Sequence, residues 1–548
     1  MKLNILKTRS VLTAACVAAL CSCSGMLETS PSTDVDKNMI LKDADAIEVA
    51  MNGVYSTMYN RIDFVTANAH QCFGNLAVTL AADLMGEDMV QTAEGPGWFW
   101  KDYSYETRER YTSKIQRCYF TWTYFYQIIN NVNYILSAEY TASGDKAKLN
   151  YLMAQAYAVR AFSYFMLIQS YQQTYKGHED LPGVPVYTEP TLSSSKGKGR
   201  GTVQDVYDRI LDDLDSAMTR YEVSGKSQGD ISEMDYYAAN MLKARVALVM
   251  NDWETAAEAA GIVLEKPGKS LLSMDEATVV KGQYDDATKA WTTGSTPFNS
   301  VSSSSVIWGA KVLSDQSTVY ASFFSQMDAC TDIYYAAESP KCISNWLYAQ
   351  IPDTDVRKGW WNGNIGIPAS KWKYGANIDY NQHKFQWKDQ KSYLGDYIFM
   401  RLEEAVLIRA EALCRLGEYK EAREALCELG SRRDPGYAAR VSKLSGDEQT
   451  FASTGVVKTL MDEILLQRRI ELWGETGRIF DILRLGKGWT RDWTVGNEKS
   501  NHTNILSKYP EYAAFPADYM ECILMIPQTE IDNNPNISDE DQNPYIQR

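Results

Sequence analysis

The chain has 548 residues, with 70 acidic against 55 basic side chains, a formal charge of −15 at pH 7 and only four histidines. A surface so acidic repels nucleic acid and anionic headgroups, which argues against both as partners of the body. The length is ample for a large buried core, arranged as one big domain or several.

Residues 1–22 read as a lipoprotein signal peptide. Lys2, Lys7 and Arg9 form a basic start, and the apolar run 11–20 is too short to span a bilayer as a stable anchor. Leu20-Cys21-Ser22-Cys23 has the form of a lipobox, with Cys23 as the lipidated residue. Cys21 fits less well, because the bulky Leu20 precedes it. The alternative is an ordinary secretory leader with incidental cysteines. Loss of the leader removes three bases and no acid, and takes the formal charge from −15 to −18. One acyl chain holds a protein only marginally, so a stable anchor on Cys23 requires several. Residues 23–43 would form the tether. No other apolar run reaches transmembrane length.

Residues 44–265 are expected to be helical. Ile47, Met51, Val54 and Met58 recur at helical spacing. A long aromatic segment, 114–140, carries Trp122, Tyr124, Phe125 and Tyr126, a stripe better suited to packing helices together than to lining a ligand box. Thr202-Val-Gln-Asp205 has the spacing of a capping box. Two helices joined by Asn251-Asp252 follow, and residues 400–430 repeat the design with Gly417 at the turn. Small alanines at such crossings let paired helices approach closely. These hairpins are tetratricopeptide-like, with about four units at 44–140, 145–221, 234–265 and 400–431. The expected fold is therefore mostly α.

Across 266–396 the periodicity disappears. Seven tryptophans (Trp291, Trp308, Trp346, Trp360, Trp361, Trp372, Trp387) lie among Ser, Thr, Gly and Asn, as in a loop-rich binding region on a helical scaffold. A second aromatic loop, 87–105, holds Gly95-Pro96-Gly97-Trp98-Phe99-Trp100. Seven cysteines follow Cys23 without a CxxC or finger spacing, and an odd count leaves at least one thiol free. Cys330 with Cys342 is the pair worth testing for a bridge. No metal or cofactor motif is present: the histidines lack zincin spacing, and Asp532 onward lacks the glycine and glutamate of a calcium loop.

Residues 397–548 hold the last hairpin and then the stretch 463–486, EILLQRRIELWGETGRIFDILRLG. Leu460, Met461, Ile464, Leu465, Ile470 and Trp473 form one apolar stripe, Gly474 and Gly477 bracket a break, and Ile479, Phe480, Ile482 and Leu483 resume it. Acids and arginines three apart (Arg468 and Glu471, Glu475 and Arg478, Arg478 and Asp481, Asp481 and Arg484) predict an ion lattice along helix surfaces rather than a phosphate-binding patch. This stretch resembles the C-terminal signature of the SusD/RagB family, the lipid-anchored nutrient-binding proteins of Bacteroidetes outer membranes. The start Cys-x-x-Met-Leu-Glu-x-x-Pro at Cys23 and the closing Asn534-Pro-Asn and Gln542-Asn-Pro motifs resemble the same family.

The resemblance implies a tetratricopeptide-like scaffold and a receptor, not a catalyst. It would bind oligosaccharide on the cell surface, lipid-anchored in the outer membrane and facing the cell exterior, and deliver it to a SusC-like TonB-dependent transporter. Some glycan-binding members carry tryptophans where Trp98 and Trp100 lie, and these two, alternating if the loop is extended, fit a stacking platform. Tyr320 and Tyr334 fall where others of the family add contacts. The alternative for each is a loop anchor packed onto the scaffold. Within the family the other readings are a RagB-like peptide receptor or a subunit that only gates its transporter. Outside it, the alternative is a secreted glycoside hydrolase, although acid pairs among 70 carboxylates carry no weight by themselves.

Overall fold

The computed structural model describes residues 41–544 except 63–68, 106–115, 193, 286, 289, 293, 317–319, 331–333, 367–374 and 452–454. The leader and Cys23 lie outside the described residues. Twelve helices are used below: α1 (Ala44–Thr57), α2 (Asn75–Met85), α3 (Gln116–Ser137), α4 (Lys146–Tyr171), α5 (Val203–Ser224), α6 (Tyr236–Met250), α7 (Trp253–Leu264), α8 (Tyr334–Glu338), α9 (Leu402–Arg415), α10 (Tyr419–Gly430), α11 (Leu460–Glu471) and α12 (Arg478–Leu485). The strands are β1 (Met89–Gln91), β2 (Val306–Ala310), β3 (Lys341–Ile343) and β4 (Tyr397–Arg401).

Local chemistry sets the helix starts. The side chains of Asp43, Asp145, Thr202, Asp235 and Asp252 each accept a backbone N–H of the first turn, and Thr202 with Asp205 completes the expected capping box. Each cap contributes about 1 kcal/mol. Asn251 ends α6 in the left-handed conformation (φ 62°), and Gly417 (φ 81°) turns the chain from α9 into α10.

Four helix pairs form the scaffold: α1 with α3, α4 with α5, α6 with α7, and α9 with α10. The first pair is interrupted by α2 and β1. The last two lie far apart in sequence, yet α7 packs on α9, and Arg245 of α6 grips the Glu404 carboxylate of α9 with two bonds of 2.8 and 2.6 Å. The loop-rich region 266–396 is thus an insertion between neighbouring pairs. Helix α2 is buried at every residue but Thr79, and against a continuous apolar surround it needs no amphipathic period.

The insertion keeps little of its aromatic surface for a ligand. Trp308, Trp346, Trp360, Trp361 and Trp387 are all buried. The Trp308 indole donates to Ser232 O at 2.8 Å and that of Trp360 to Ala277 O at 2.7 Å, so these side chains fasten irregular backbone to the scaffold. The side chains of Trp291 and Trp372 lie outside the described residues. All seven body cysteines are free thiols, Cys330 and Cys342 among them.

The ion lattice of 463–486 forms, but it is tertiary. Of the four expected pairs, Asp481–Arg484 at 2.7 Å is a neighbouring bridge. Glu471 instead meets Arg357 (3.1 Å), Arg401 (2.8 Å) and Arg433 (3.0 Å), all buried. Glu475 binds Arg401 and Lys384, while Arg468 crosses to Asp481 at 2.7 Å. Arg469 and Arg478 reach Glu87 and Asp88 just before β1. Burial alone would raise the Glu471 carboxyl; the three guanidiniums overcome that and hold it well below the usual range. The break between α11 and α12 needs its glycines. Gly474 and Gly477 have φ near 80°, and a Cβ on Gly474 would lie 2.6 Å from the Phe385 ring.

Candidate ligand-binding face

The antiparallel register of β1 on β3, Met89 opposite Ile343 and Gln91 opposite Lys341, brings together two segments some 250 residues apart. The loop 92–99 leaves β1 on the same side on which α8 enters β3. Gln91, buried, fastens them: its side-chain amide donates to Ser339 Oγ (2.7 Å), Ala93 O (3.2 Å) and Trp98 O (3.2 Å). Gln71 supplies the other clamp, accepting the Phe99 N–H at 2.6 Å. Gly95 packs so closely on Ser339 that a Cβ there would fall 2.9 Å from the serine Cβ.

These clamps gather four rings. His70 lies 5.0 Å from Trp98, 5.4 Å from Tyr335 and 6.3 Å from Tyr320, centroid to centroid. Tyr335 in turn meets Trp98 edge-on at 5.9 Å and Tyr320 at 5.8 Å. Trp98 is half-buried, Tyr335 is buried, and Tyr320 keeps 53% of its surface in solvent. The result is an aromatic surface with its supports behind it, able to receive the C–H face of a ring.

Trp98 and Tyr320, picked out from sequence, therefore share one cluster. Trp100 does not join it. Phe99 takes the left-handed conformation (φ 60°), so the loop is not extended there, and Trp100 turns into a short helix, Trp100–Tyr103, buried against Tyr103 at 5.7 Å. It can offer no face to a ligand in this geometry. Tyr334 opens α8, and its side chain lies outside the described residues. His70 and Tyr335 escaped the sequence reading, since neither stands in a motif; the β1–β3 register brings Tyr335 to Trp98, and His70 joins them only in the folded chain.

A second constellation has the outline of a catalytic site. Cys330 Sγ lies 3.3 Å from His383 Nδ1, and His383 Nε2 lies 3.0 Å from Asn362 Oδ1. Its electrostatics are opposite to those of a nucleophile. Burial pushes the Cys330 thiol well up and the His383 imidazole down to about 3, with Lys281 adding to the latter. A thiol held neutral beside a base held neutral does not form the thiolate that attack requires.

Comparison with known proteins follows the two halves of this architecture. The model described as SusD family matches residues 335–545, and that described as starch-binding associating with outer membrane matches residues 36–232. The chain belongs to the SusD/RagB family. A curated relative, the SusD-like protein P38 of Formosa agariphila, is 23% identical over 403 residues, 67% of this chain and 72% of the relative. Among solved structures, a SusD-like carbohydrate binding protein from Bacteroides vulgatus superposes with a TM-score of 0.70 at 22% identity, over 92% of this chain and 98% of the other. Surface glycan-binding protein A from Bacteroides thetaiotaomicron, in complex with laminarihexaose, superposes with a TM-score of 0.61 at 16% identity, over 91% and 99% of the two chains. At these identities the structural likeness is one of fold.

In this SusD/RagB protein the signature stretch also has a local task. Arg469 holds the Asp88 carboxylate at 2.9 Å, and the Trp473 indole donates to Asp88 O at 3.0 Å. His502 Nε2 donates to Glu87 O at 3.0 Å. The residues that launch β1, and with it the Trp98 loop, are thus fixed from behind by buried charge. The closing motif does the same for the scaffold: Asn543 donates to Tyr171 O (2.6 Å) and Leu524 O (2.7 Å), tying the tail to the end of α4.

Proposed function

We propose that this chain is a lipid-anchored receptor on the cell exterior, which captures oligosaccharide and passes it to a SusC-like TonB-dependent outer-membrane transporter. The observation that carries this reading is the face made by Trp98 and Tyr320 around His70 and Tyr335. One ring is exposed and one half-exposed, and the loop that carries Trp98 is held by the Gln91 and Gln71 amides. Pyranose rings present flat C–H patches that stack on such surfaces, and preorganised rings avoid the entropy of ordering side chains on binding. The reading is of binding without chemistry, supported by the buried, neutral state of Cys330 and His383. Membership of a family described as SusD supports it further, as does a relative of the same fold solved with laminarihexaose.

The test is calorimetric titration of the soluble body, from about Thr29, with laminarihexaose, other glycans of host, plant and microbial origin, and mixed peptides. Saturable heat with a glycan, and no release of reducing ends, is the expected result. Heat from peptides alone would replace this reading with the peptide receptor.

A further inference from the structure

A second concavity is lined by residues none of which belongs to the Trp98 cluster. It is a groove of about 360 Å³ between the outer face of α3, residues 187–192 and 195–197 of the facing loop, and the C-terminal tail. Helical spacing on α3 lays Trp122 and Tyr126 along one row and Thr123, Gln127 and Asn130 along the next. Trp122 and Tyr126 lie 4.9 Å apart, and Tyr187 from the facing loop meets Tyr126 edge-on at 5.8 Å. The groove's frame is rigid. Asn130 exchanges two hydrogen bonds with Thr191, at 2.7 and 3.3 Å, and Asn133 donates to Tyr187 O and Glu189 O, both at 3.1 Å. The Trp122 indole donates to Glu530 of the tail at 3.2 Å.

Three polar side chains on its walls are uncommitted. Gln127 and Lys196 are exposed and Thr123 half-buried, and none hydrogen-bonds to another described residue. The lining charges are one ammonium, Lys196, and one carboxylate, Glu530, so the groove favours a neutral ligand. Its volume lies in the range of small-molecule sites, about 300–1,000 Å³. The half-buried rings of Tyr126 and Tyr187, backed by the buried Trp122 and interleaved with a free amide, a hydroxyl and an ammonium, match a polyhydroxylated ring, which offers C–H patches and hydroxyls in alternation. We infer that this groove is a second saccharide site, independent of the Trp98 face, that takes one or two units of a neutral glycan.

The experiment is saturation-transfer difference NMR on the soluble body carrying Trp98→Ala and Tyr320→Ala, with laminarihexaose, maltohexaose, xylohexaose, mannohexaose and chitotriose. At least one sugar is expected to retain saturation transfer in this background. Adding Gln127→Ala and Thr123→Ala should then reduce it several-fold. Both positions are on an accessible helix face where alanine is the best helix former, so the fold is retained; circular dichroism checks it. Transfer from no sugar in the Trp98/Tyr320 background overturns the second site, as does transfer that the α3 substitutions leave unchanged. Transfer from a tryptic peptide mixture alone, removed by the α3 substitutions, replaces saccharide with peptide as its ligand. If Trp98→Ala and Tyr320→Ala change nothing while Gln127→Ala and Thr123→Ala abolish binding, the groove stands and the Trp98 reading falls.

Discussion

Two tryptophans two residues apart have opposite fates here, and the difference can be measured. Trp98 keeps part of its surface in solvent on the candidate face, so Trp98→Ala should weaken glycan binding about fivefold or more, corresponding to about 1 kcal/mol, with little change in melting temperature. Tyr320→Ala, 53% exposed in the wild type, should behave the same way. Trp100 is buried against Tyr103, so Trp100→Ala should cost about 3 kcal/mol of stability or more in a denaturant titration, through the cavity it leaves. A stable Trp100→Ala protein with lost affinity would reverse the two assignments. What separates the residues is the left-handed turn at Phe99, a backbone choice that no side-chain pattern announces.

At the scale of elements, helix starts and hairpins were readable because caps and a 3.6-residue period are local properties. Long-range pairing is not local. The acids and arginines of 463–486 were recognisable as an ion lattice, but the partners of Glu471 are Arg357, Arg401 and Arg433, and no spacing rule reaches them. The β1–β3 register that joins Trp98 to Tyr335 is equally invisible, being three residues long on each strand. This tertiary lattice makes a sharp prediction. Glu471→Gln strips the shared charge from three buried guanidiniums and should cost about 3–5 kcal/mol in chemical denaturation. Glu424→Gln, which breaks the exposed Lys420–Glu424 pair of α10, should change stability by no more than about 0.5 kcal/mol. Equal effects of the two substitutions would mean that the buried lattice does not hold α11 and α12 in place.

Across the whole molecule, burial sets titrations of opposite sign against each other. His502 is enclosed, with Nδ1 accepting from the Tyr103 hydroxyl at 2.7 Å, and burial beside Arg491 pushes it down to about 3. An unfolded histidine titrates near 6.5. As pH falls from about 6.5 towards 3, the unfolded chain takes up a proton that the folded chain refuses, and stability is lost. Asp83 works the other way. Burial raises its carboxyl to about 8, although its Oδ1 accepts the Arg478 N–H at 2.8 Å, so between about 4 and 8 the folded chain holds a proton that the unfolded chain releases. Stability from this group is therefore gained on acidification across that window. His502→Gln keeps a donor and an acceptor and removes the titration, so its melting temperature relative to wild type should fall as pH rises from 3 to 6.5. Asp83→Asn keeps the bond to Arg478, and its melting temperature relative to wild type should rise as pH climbs from 4 to 8. Because the two differences slope in opposite directions, an artefact of buffer or net charge cannot produce both. Two flat differences would show that these groups ionise inside the fold as freely as outside it, and that the core around β1 is far wetter than its burial implies.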